Sequence, residues 1–490
     1  MNQASTLKKD VFGLAAASAI DYVLQFMVPM IVARSLSPAG FGGYRMAWLV
    51  GATVMAIAPL HMPQSLSYFL PRVAPEKRLS YIISTITLLL IASLFAALAV
   101  NPWLPLLPLN WLNIGQPSWY FPAFAALWVL GSLSDWVAIG DGKVQWQVRV
   151  VVLLSVSRTL LIGASAWFTH DLHYVLMAML LFAALKLLLF ILYLRIYHGR
   201  NWVFDRSVVR EQFLYAWPFG LGDTFYLLRQ QCEQWLIAAM FSAREFAAFS
   251  LGGVAAPLFT LMRSSVQNAV LPKLSALHAT KDMAQLTALN RKATSAVAFV
   301  LIPAVCILWV YSEQVITFVY TATYREAGAV MRVYLLGFLP QIFESTVLLR
   351  VAGYGGFGLR INAFMLPFAI ACSFAGIKLA GLPGGAAGSA LCSLLTQLIS
   401  VRKVCKGQGI AFRDLYDLRA LGLYLLLGAA SAAMSYLAAK PFADHVLAML
   451  LAGGGVSAIL FCTSAYFLNI MPAIAGEKVK QLLRRFSRNR

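Results

Sequence analysis

The sequence predicts an all-α polytopic membrane protein of about fourteen transmembrane helices, and three observations carry that reading. Apolar residues fall in long segments of about 20 to 28 residues between Asp10 and Asn469, separated by short polar breaks. About 20 apolar residues are what a helix needs to cross a hydrocarbon core of roughly 30 Å. The chain is 60% hydrophobic and 12% charged, and no stretch between spans exceeds about 21 residues, which leaves no room for a sizeable soluble domain. The third observation is where the charge falls. With the N-terminus placed in the cytoplasm, the even-numbered loops and both tails hold 28 Lys and Arg, including Lys8, Lys9, Arg72, Lys143 and Arg402, against five (Arg34, Arg244, Arg325, Lys378 and Lys440) on the opposite side. That bias puts both termini in the cytoplasm. The net charge of +20 is therefore read as topology signal facing anionic lipid, and nucleic acid is excluded as a partner.

The expected spans are 10–33, 41–70, 80–100, 118–140, 150–168, 174–194, 213–240, 245–272, 294–312, 328–350, 361–380, 383–401, 420–438 and 446–469. Lys8 and Lys9 precede an apolar run about 24 residues long that leads straight into another span, so span 1 is read as an uncleaved helix and not as a secretory signal. It carries Asp21 near its middle and Gln25 one turn on. Span 2 holds His61 between Pro59 and Pro63, read as a hydrogen-bonded packing residue. The uncharged outer loop 101–118, with Trp103 and Trp111, is expected in the interfacial aromatic belt. Asp135 and Arg158 lie on consecutive spans and are expected to pair. The six cysteines have no C-x-x-C spacing and predict neither metal nor disulfide, and no cofactor is expected.

Ionisable groups inside spans are costly and turn toward a partner or a cavity. Here the basic set is Arg45, Arg158, Lys186, Arg229, Arg263 and Arg332, and the acidic set is Asp21, Asp135, Asp223, Glu233 and Glu344. Glu344 lies near the cytoplasmic end of span 10, and Arg45 and Arg332 near outer ends, where each can snorkel. In span 7, "RQQCEQ" from Arg229 to Gln234 sets five strongly polar side chains in six positions. Arg229 and Glu233 are one turn apart and can neutralise each other; the face with Gln230 is read either as a polar seam or as the lining of a water-filled cavity. Pro218, Gly220 and Gly222 before Asp223 mark a place where that helix can bend. Arg263, about nine residues from the end of span 8, has no acid within a helical turn in the sequence. Its planar guanidinium fits a phosphate or a carboxylate bidentately. Asp21 and Asp223 are the candidate ion-coupling carboxylates; for Asp21 a structural partnership with Arg45 or Lys186 stays open. "GYGGFG" at 353–358 lacks the strand-to-helix context of a phosphate loop and reads as a tight connection.

A shift of 205 residues lays Gln25, Ser37, Phe41 and Tyr44 on Gln230, Ser242, Phe246 and Phe249, and after a four-residue gap "FLPRV" at 69–73 falls on "VLPKL" at 270–274. The match predicts a duplication into two six-span lobes, 1–200 and 201–410, with spans 13–14 and a basic tail in 411–490. Parallel repeats are one transporter architecture, with the substrate site near the midplane.

The opening "LKKDVFGLAAASAIDYVLQFMVPMIVARSLSPAGFGGYR" resembles the start of bacterial oligosaccharide (O-antigen or exopolysaccharide) flippases. These belong to a superfamily that also holds lipid II flippases and multidrug extruders. The resemblance implies two six-helix lobes forming a V around a cavity, and movement of undecaprenyl-pyrophosphate-linked oligosaccharide to the outer leaflet by alternating access. The lipid II relatives carry cavity arginines on helices one, two and eight. Arg45 and Arg263 match two of those helices, while helix one here offers Asp21 and no arginine before Arg34. The expected substrate contacts are Arg263, Arg229, Glu233, Gln230, Arg45 and Lys186. The expected partners are the lipid-linked oligosaccharide, protons or sodium as coupling ion, and a polysaccharide polymerase and glycosyltransferases. An organic-cation exporter is the alternative within the superfamily, against which Arg229, Arg263 and Lys186 argue. A membrane glycosyltransferase or polymerase is the enzymatic alternative, disfavoured by the uncharged outer loop, so no enzyme is expected.

Overall fold

The computed structural model describes residues 3–101, 119–199, 204–343 and 345–472. The 102–118 aromatic loop, Glu344 and the basic tail beyond 472 lie outside the described residues, as do the side chains of Lys8 and Lys9. What is described is all-α, with no strand among the described residues. Ten helical stretches are long and apolar enough to cross a membrane, and a bent pair makes eleven. Helix occurs at each of the fourteen predicted spans; two of them, 213–240 and 328–350, are absent from the eleven, and two others share one long stretch.

The chain divides into two compact units, 1–247 and 248–490. In the first, α1 (Gln3–Ser35) packs along α7 (Val144–Thr169), which packs on α8 (Leu172–Tyr197). The helix α5 (Tyr120–Gly131) packs on α4 (Pro75–Ala99) and α8. The long polar helix α9 (Arg206–Met240) is walled by α2 (Pro38–Ile57), α3 (Met62–Phe69) and α4. Those neighbours take up several of its polar groups. Gln212 Nε2 donates to Ser65 Oγ at 2.8 Å and to Thr85 Oγ1 at 2.7 Å, and Thr224 Oγ1 donates to the Ala56 carbonyl at 2.6 Å. An unmet polar group in such a place costs several kcal/mol.

Span 2 was expected as one helix and is broken, with α2 and α3 bent by 50°. Pro59 and Pro63 each remove a backbone donor and disfavour helix in the residue before them. Between them Leu60 and His61 sit in the left-handed region at φ 43° and 63°, which non-glycine residues rarely adopt. The break is held from α9. A Cβ on Gly220 would lie 2.5 Å from the Leu60 carbonyl carbon, and His61 Nδ1 meets Asp223 Oδ2 at 2.8 Å. His61 is thus a hydrogen-bonded packing residue whose partner is on α9. Span 4 also unwinds, from α5 through a 3₁₀ turn (Ser132–Asp135) into α6 (Val137–Gly140). The Ser132 and Ser134 hydroxyls donate back to the carbonyls of Val129 and Gly131 at 2.6 and 2.8 Å, a pairing that competes with the helical ladder.

Next, α10 (Ala243–Gly252) crosses the junction and leads to α11 (Ala256–Ala279), α12 (Met283–Val310) and α13 (Ser312–Val319). Span 10 unwinds as span 4 does, from α14 (Ala327–Phe338) through a 3₁₀ turn at Pro340 into α15 (Ser345–Val351). Spans 11 and 12 form α16 (Gly355–Gln408), a hairpin that turns back at Ala380 and Gly381. Its arms touch through backbone: a Cβ on Gly384 would fall 1.9 Å from the Gly376 carbonyl oxygen, and one on Gly376 2.1 Å from that of Gly384. Close backbone approach of this kind is how membrane helices associate. The chain ends in α17 (Phe412–Leu415), α18 (Leu418–Ala439) and α19 (Val446–Phe467), with α18 packed between α12 and α19.

Two of the residue pairs aligned by the 205-residue shift do equivalent work. Ser37 caps α2, accepting from Gly40 N at 3.1 Å. Ser242 caps α10, accepting from Glu245 N at 3.3 Å, while Glu245 accepts from Ser242 N at 2.9 Å. That reciprocal pair is a capping box. Phe41 and Phe246 are each 0% exposed.

Replacing Gly384 with Ala is expected to push the arms of α16 apart and destabilise the protein by about 1–3 kcal/mol, as overpacking does. Thermal unfolding in detergent, followed by size-exclusion chromatography, checks it. An unchanged midpoint would mean that the arms do not touch.

Candidate functional site

The first unit contains a cavity of about 620 Å³ lined by residues of six α-helices and one 3₁₀ turn. Each helix contributes one stripe at three- or four-residue spacing. Asp21 and Gln25 come from α1, Arg45, Trp48, Leu49 and Ala52 from α2, Ser155 and Arg158 from α7, Phe182 and Lys186 from α8, and Gln231 and Gln234 from α9. Trp128 of α5 and Asp135 of the following 3₁₀ turn complete the wall. The unwinding of span 4 is what carries Asp135 onto that wall.

The charges on the wall pair differently from expectation. Asp135 does not pair with Arg158; it takes Lys186 Nζ at 2.6 Å. Arg158 Nη2 instead donates to Asp21 Oδ1 at 2.9 Å, and the Ser155 hydroxyl donates to the same oxygen at 2.6 Å. Asp21 therefore has neither Arg45 nor Lys186 as its partner. The cause is packing order: α7 lies on α1, and α5 lies on α8, so consecutive spans are not where the charges meet.

In both pairs the carboxylate is the more exposed member, 34% for Asp21 against 15% for Arg158 and 43% for Asp135 against 13% for Lys186. Pairs open on one side contribute on the order of 1 kcal/mol, well short of the 3–5 kcal/mol lost when a fully buried pair is broken. Arg45 is different. Among the described residues no carboxylate lies within ion-pairing distance of it, and its buried Nε has no hydrogen-bond partner. Leaving such a donor unmet costs about 1–3 kcal/mol.

The neutral wall is aromatic and amide. Trp48 and Trp128 meet edge to face at 5.2 Å, and Lys186 Nζ lies 5.2 Å from the Trp128 ring centre. Gln231 is fixed by Thr53, whose hydroxyl donates to Gln231 Oε1 at 2.7 Å and accepts from Trp235 Nε1 at 2.8 Å. Sequence reasoning named Gln25 and Gln230. The cavity is lined by Gln25 with Gln231 and Gln234, one step round the α9 helix, and the i, i+3 spacing of those two amides was the available signal.

Of the other expected contacts, Arg229 and Glu233 are 6% and 3% exposed and are not among the residues lining the cavity, nor is Gln230. Arg229 lies 5.7 Å from the Tyr226 ring. Asp223 is exposed and held by His61. In the second unit, Arg263 lines a pocket of about 40 Å³ with Gln267, Asn290 and Thr294, room for a water or so at about 30 Å³ each. Arg332 bonds Glu313 at 3.0 Å.

A double-mutant cycle on Asp135→Asn and Lys186→Met is expected to show a coupling of about 0.5–3 kcal/mol in thermal stability, whereas Asp135→Asn with Arg158→Gln adds within about 0.5 kcal/mol. The reverse result would restore the Asp135–Arg158 pair.

The fold is similar to that of the lipid II flippase MurJ in an inward closed conformation, at 13% identity and a TM-score of 0.71, covering 93% of this chain and 99% of that one. It is also similar to an inward-facing multidrug resistance MATE family transporter of the MOP superfamily, at 12% identity and a TM-score of 0.65, covering 79% and 96%. A MOP superfamily transporter from Pyrococcus furiosus, whose binding pocket is described as reversed in polarity, matches at 13% identity and a TM-score of 0.52, covering 82% and 96%. Among curated proteins no sequence matches. The polysaccharide biosynthesis protein family matches residues 7–278, more than half of this multi-pass membrane chain, and the chain belongs to that family.

Proposed function

We propose that this protein is a flippase that carries undecaprenyl-pyrophosphate-linked oligosaccharide across the cytoplasmic membrane of a bacterium by alternating access, with both termini in the cytoplasm. The observation that carries the reading is Arg45, a cavity cation with no acidic partner beside two Trp rings and three amides. A guanidinium grips a pyrophosphate through charge-assisted, bidentate hydrogen bonds, and Trp faces with Gln amides are the chemistry that holds a sugar's C–H face and its hydroxyls. The cavity of about 620 Å³ is within the usual range for a ligand site. Arg158 and Lys186 join the site when the incoming phosphates replace Asp21 and Asp135 as their counter-ions.

Solved relatives include inward-facing and outward-facing conformations, which supports alternating access here. An exporter of organic cations is the weaker reading, since three cations face two carboxylates on the wall. Asp21 and Asp223 are kept as candidate coupling carboxylates for protons or sodium. Arg263, Arg229, Glu233 and Gln230 are kept as substrate contacts outside this cavity, and the two repeats as lobes 1–200 and 201–410. A polymerase and glycosyltransferases are the proposed neighbours in the reaction sequence.

Arg45→Ala is expected to weaken binding of the pyrophosphate by about 10- to 100-fold, the equivalent of about 1.5–3 kcal/mol for a hydrogen bond to a charged group. Surface glycan should disappear at normal protein levels, and Arg45→Lys should rescue in part because it keeps the charge and loses the fork. Glycan display and immunoblots measure both. Wild-type display by the Ala variant would end the assignment.

A further inference from the structure

On the first unit a second recess, a groove of about 390 Å³, opens beside the break in span 2. Its walls come from the end of α2, the 58–62 break, the second half of α4 and Phe213 of α9, and Thr53 is the single polar side chain among its lining residues. Leu89, Ala96 and Val54 form a buried floor at 0%, 8% and 7% exposure, while Ile57, Ile91 and Phe95 stand exposed at the mouth at 47%, 50% and 68%. The bend of 50° between α2 and α3 opens it, and Gly220 and Asp223 of α9 hold that bend.

Thr53 lies in the wall between this groove and the polar cavity. Leu49 and Ala52 line the cavity, and one step on Thr53 and Val54 line the groove. The Thr53 hydroxyl donates to Gln231, a cavity residue, at 2.7 Å. One helix, about 10–12 Å across, therefore has a cationic, amide-rich recess on one face and a hydrocarbon recess on the other. An amphiphile with a charged head and an apolar chain matches the pair.

We propose that the groove is the docking site for the polyprenyl chain of the lipid-linked substrate; the inference rests on the flippase reading. A chain leaving the bilayer for this groove gains nothing from the hydrophobic effect, because lipid tails are as apolar as its walls. Occupancy is then decided by van der Waals fit and by the head held in the neighbouring cavity, which tethers its own chain at a high effective concentration. A phospholipid offers Arg45 one singly charged phosphodiester, a weaker grip than a terminal phosphate or pyrophosphate of higher charge, and so lacks that advantage even in excess. The groove thus selects the lipid whose head the cavity binds.

The test uses full-length protein in nanodiscs of phosphatidylethanolamine and phosphatidylglycerol, with undecaprenyl phosphate bearing a diazirine in its chain. Photo-adducts are expected on peptides covering 54–62 and 88–100, reduced at least tenfold by unlabelled undecaprenyl phosphate and unchanged by added phosphatidylglycerol. Ala92→Trp fills the groove and should remove those adducts, with Ala92→Val intermediate; the competition in wild-type protein stands even where the Trp variant does not fold. Adducts elsewhere only, or equal displacement by phosphatidylglycerol, would overturn the proposal. Because the readout is labelling and not transport, the two readings separate. Groove labelling together with wild-type glycan display by Arg45→Ala removes the head assignment and keeps the groove. An unlabelled groove with display lost in Arg45→Ala removes the groove alone.

Discussion

Everything in the first unit follows from one constraint: a charged side chain at bilayer depth must be paired, hydrogen-bonded or hydrated. Asp21 with Arg158 and Ser155, Asp135 with Lys186, and Asp223 with His61 each meet it with protein partners. Arg45 meets it by facing a cavity. The helix packing brings those partners together, with α7 against α1 and α5 against α8, and some of them stand at helix breaks. The 3₁₀ turn that brings Asp135 to the wall and the left-handed pair at Leu60 and His61 are two such places.

How far the sequence was legible follows from which interactions are local. Span positions depend only on windows of about 20 apolar residues, and helix occurs at all fourteen. The likeness of two aligned sites was readable because capping and burial are local too: Ser37 and Ser242 stand where a helix must begin, and Phe41 and Phe246 point into packed protein. Partnerships across the unit were not legible. Asp135 and Arg158 are close in sequence order, yet the partner of each lies on a helix that chain order does not make its neighbour. On α9, 100° of helical phase separates Gln230 from Gln231. A span that is polar on several faces gives no apolar stripe from which to fix that phase.

The wall charges also bear on how a tightly held anion is let go. An anion gripped by three unpaired cations would be bound too well to leave. Here two of the three, Arg158 and Lys186, have carboxylates of their own within 2.9 Å, and those carboxylates are the more exposed members. Binding on the proposed mechanism is therefore an exchange of counter-ions, and release is the same exchange reversed. Each step trades one partly solvated ion pair for another at a difference of about 1 kcal/mol. Arg45 supplies the net attraction, because it alone of the three gives up no partner. On that proposal a single uncompensated cation selects an anionic substrate without fixing it in place, which is what a carrier needs of a site that must be empty again after every cycle.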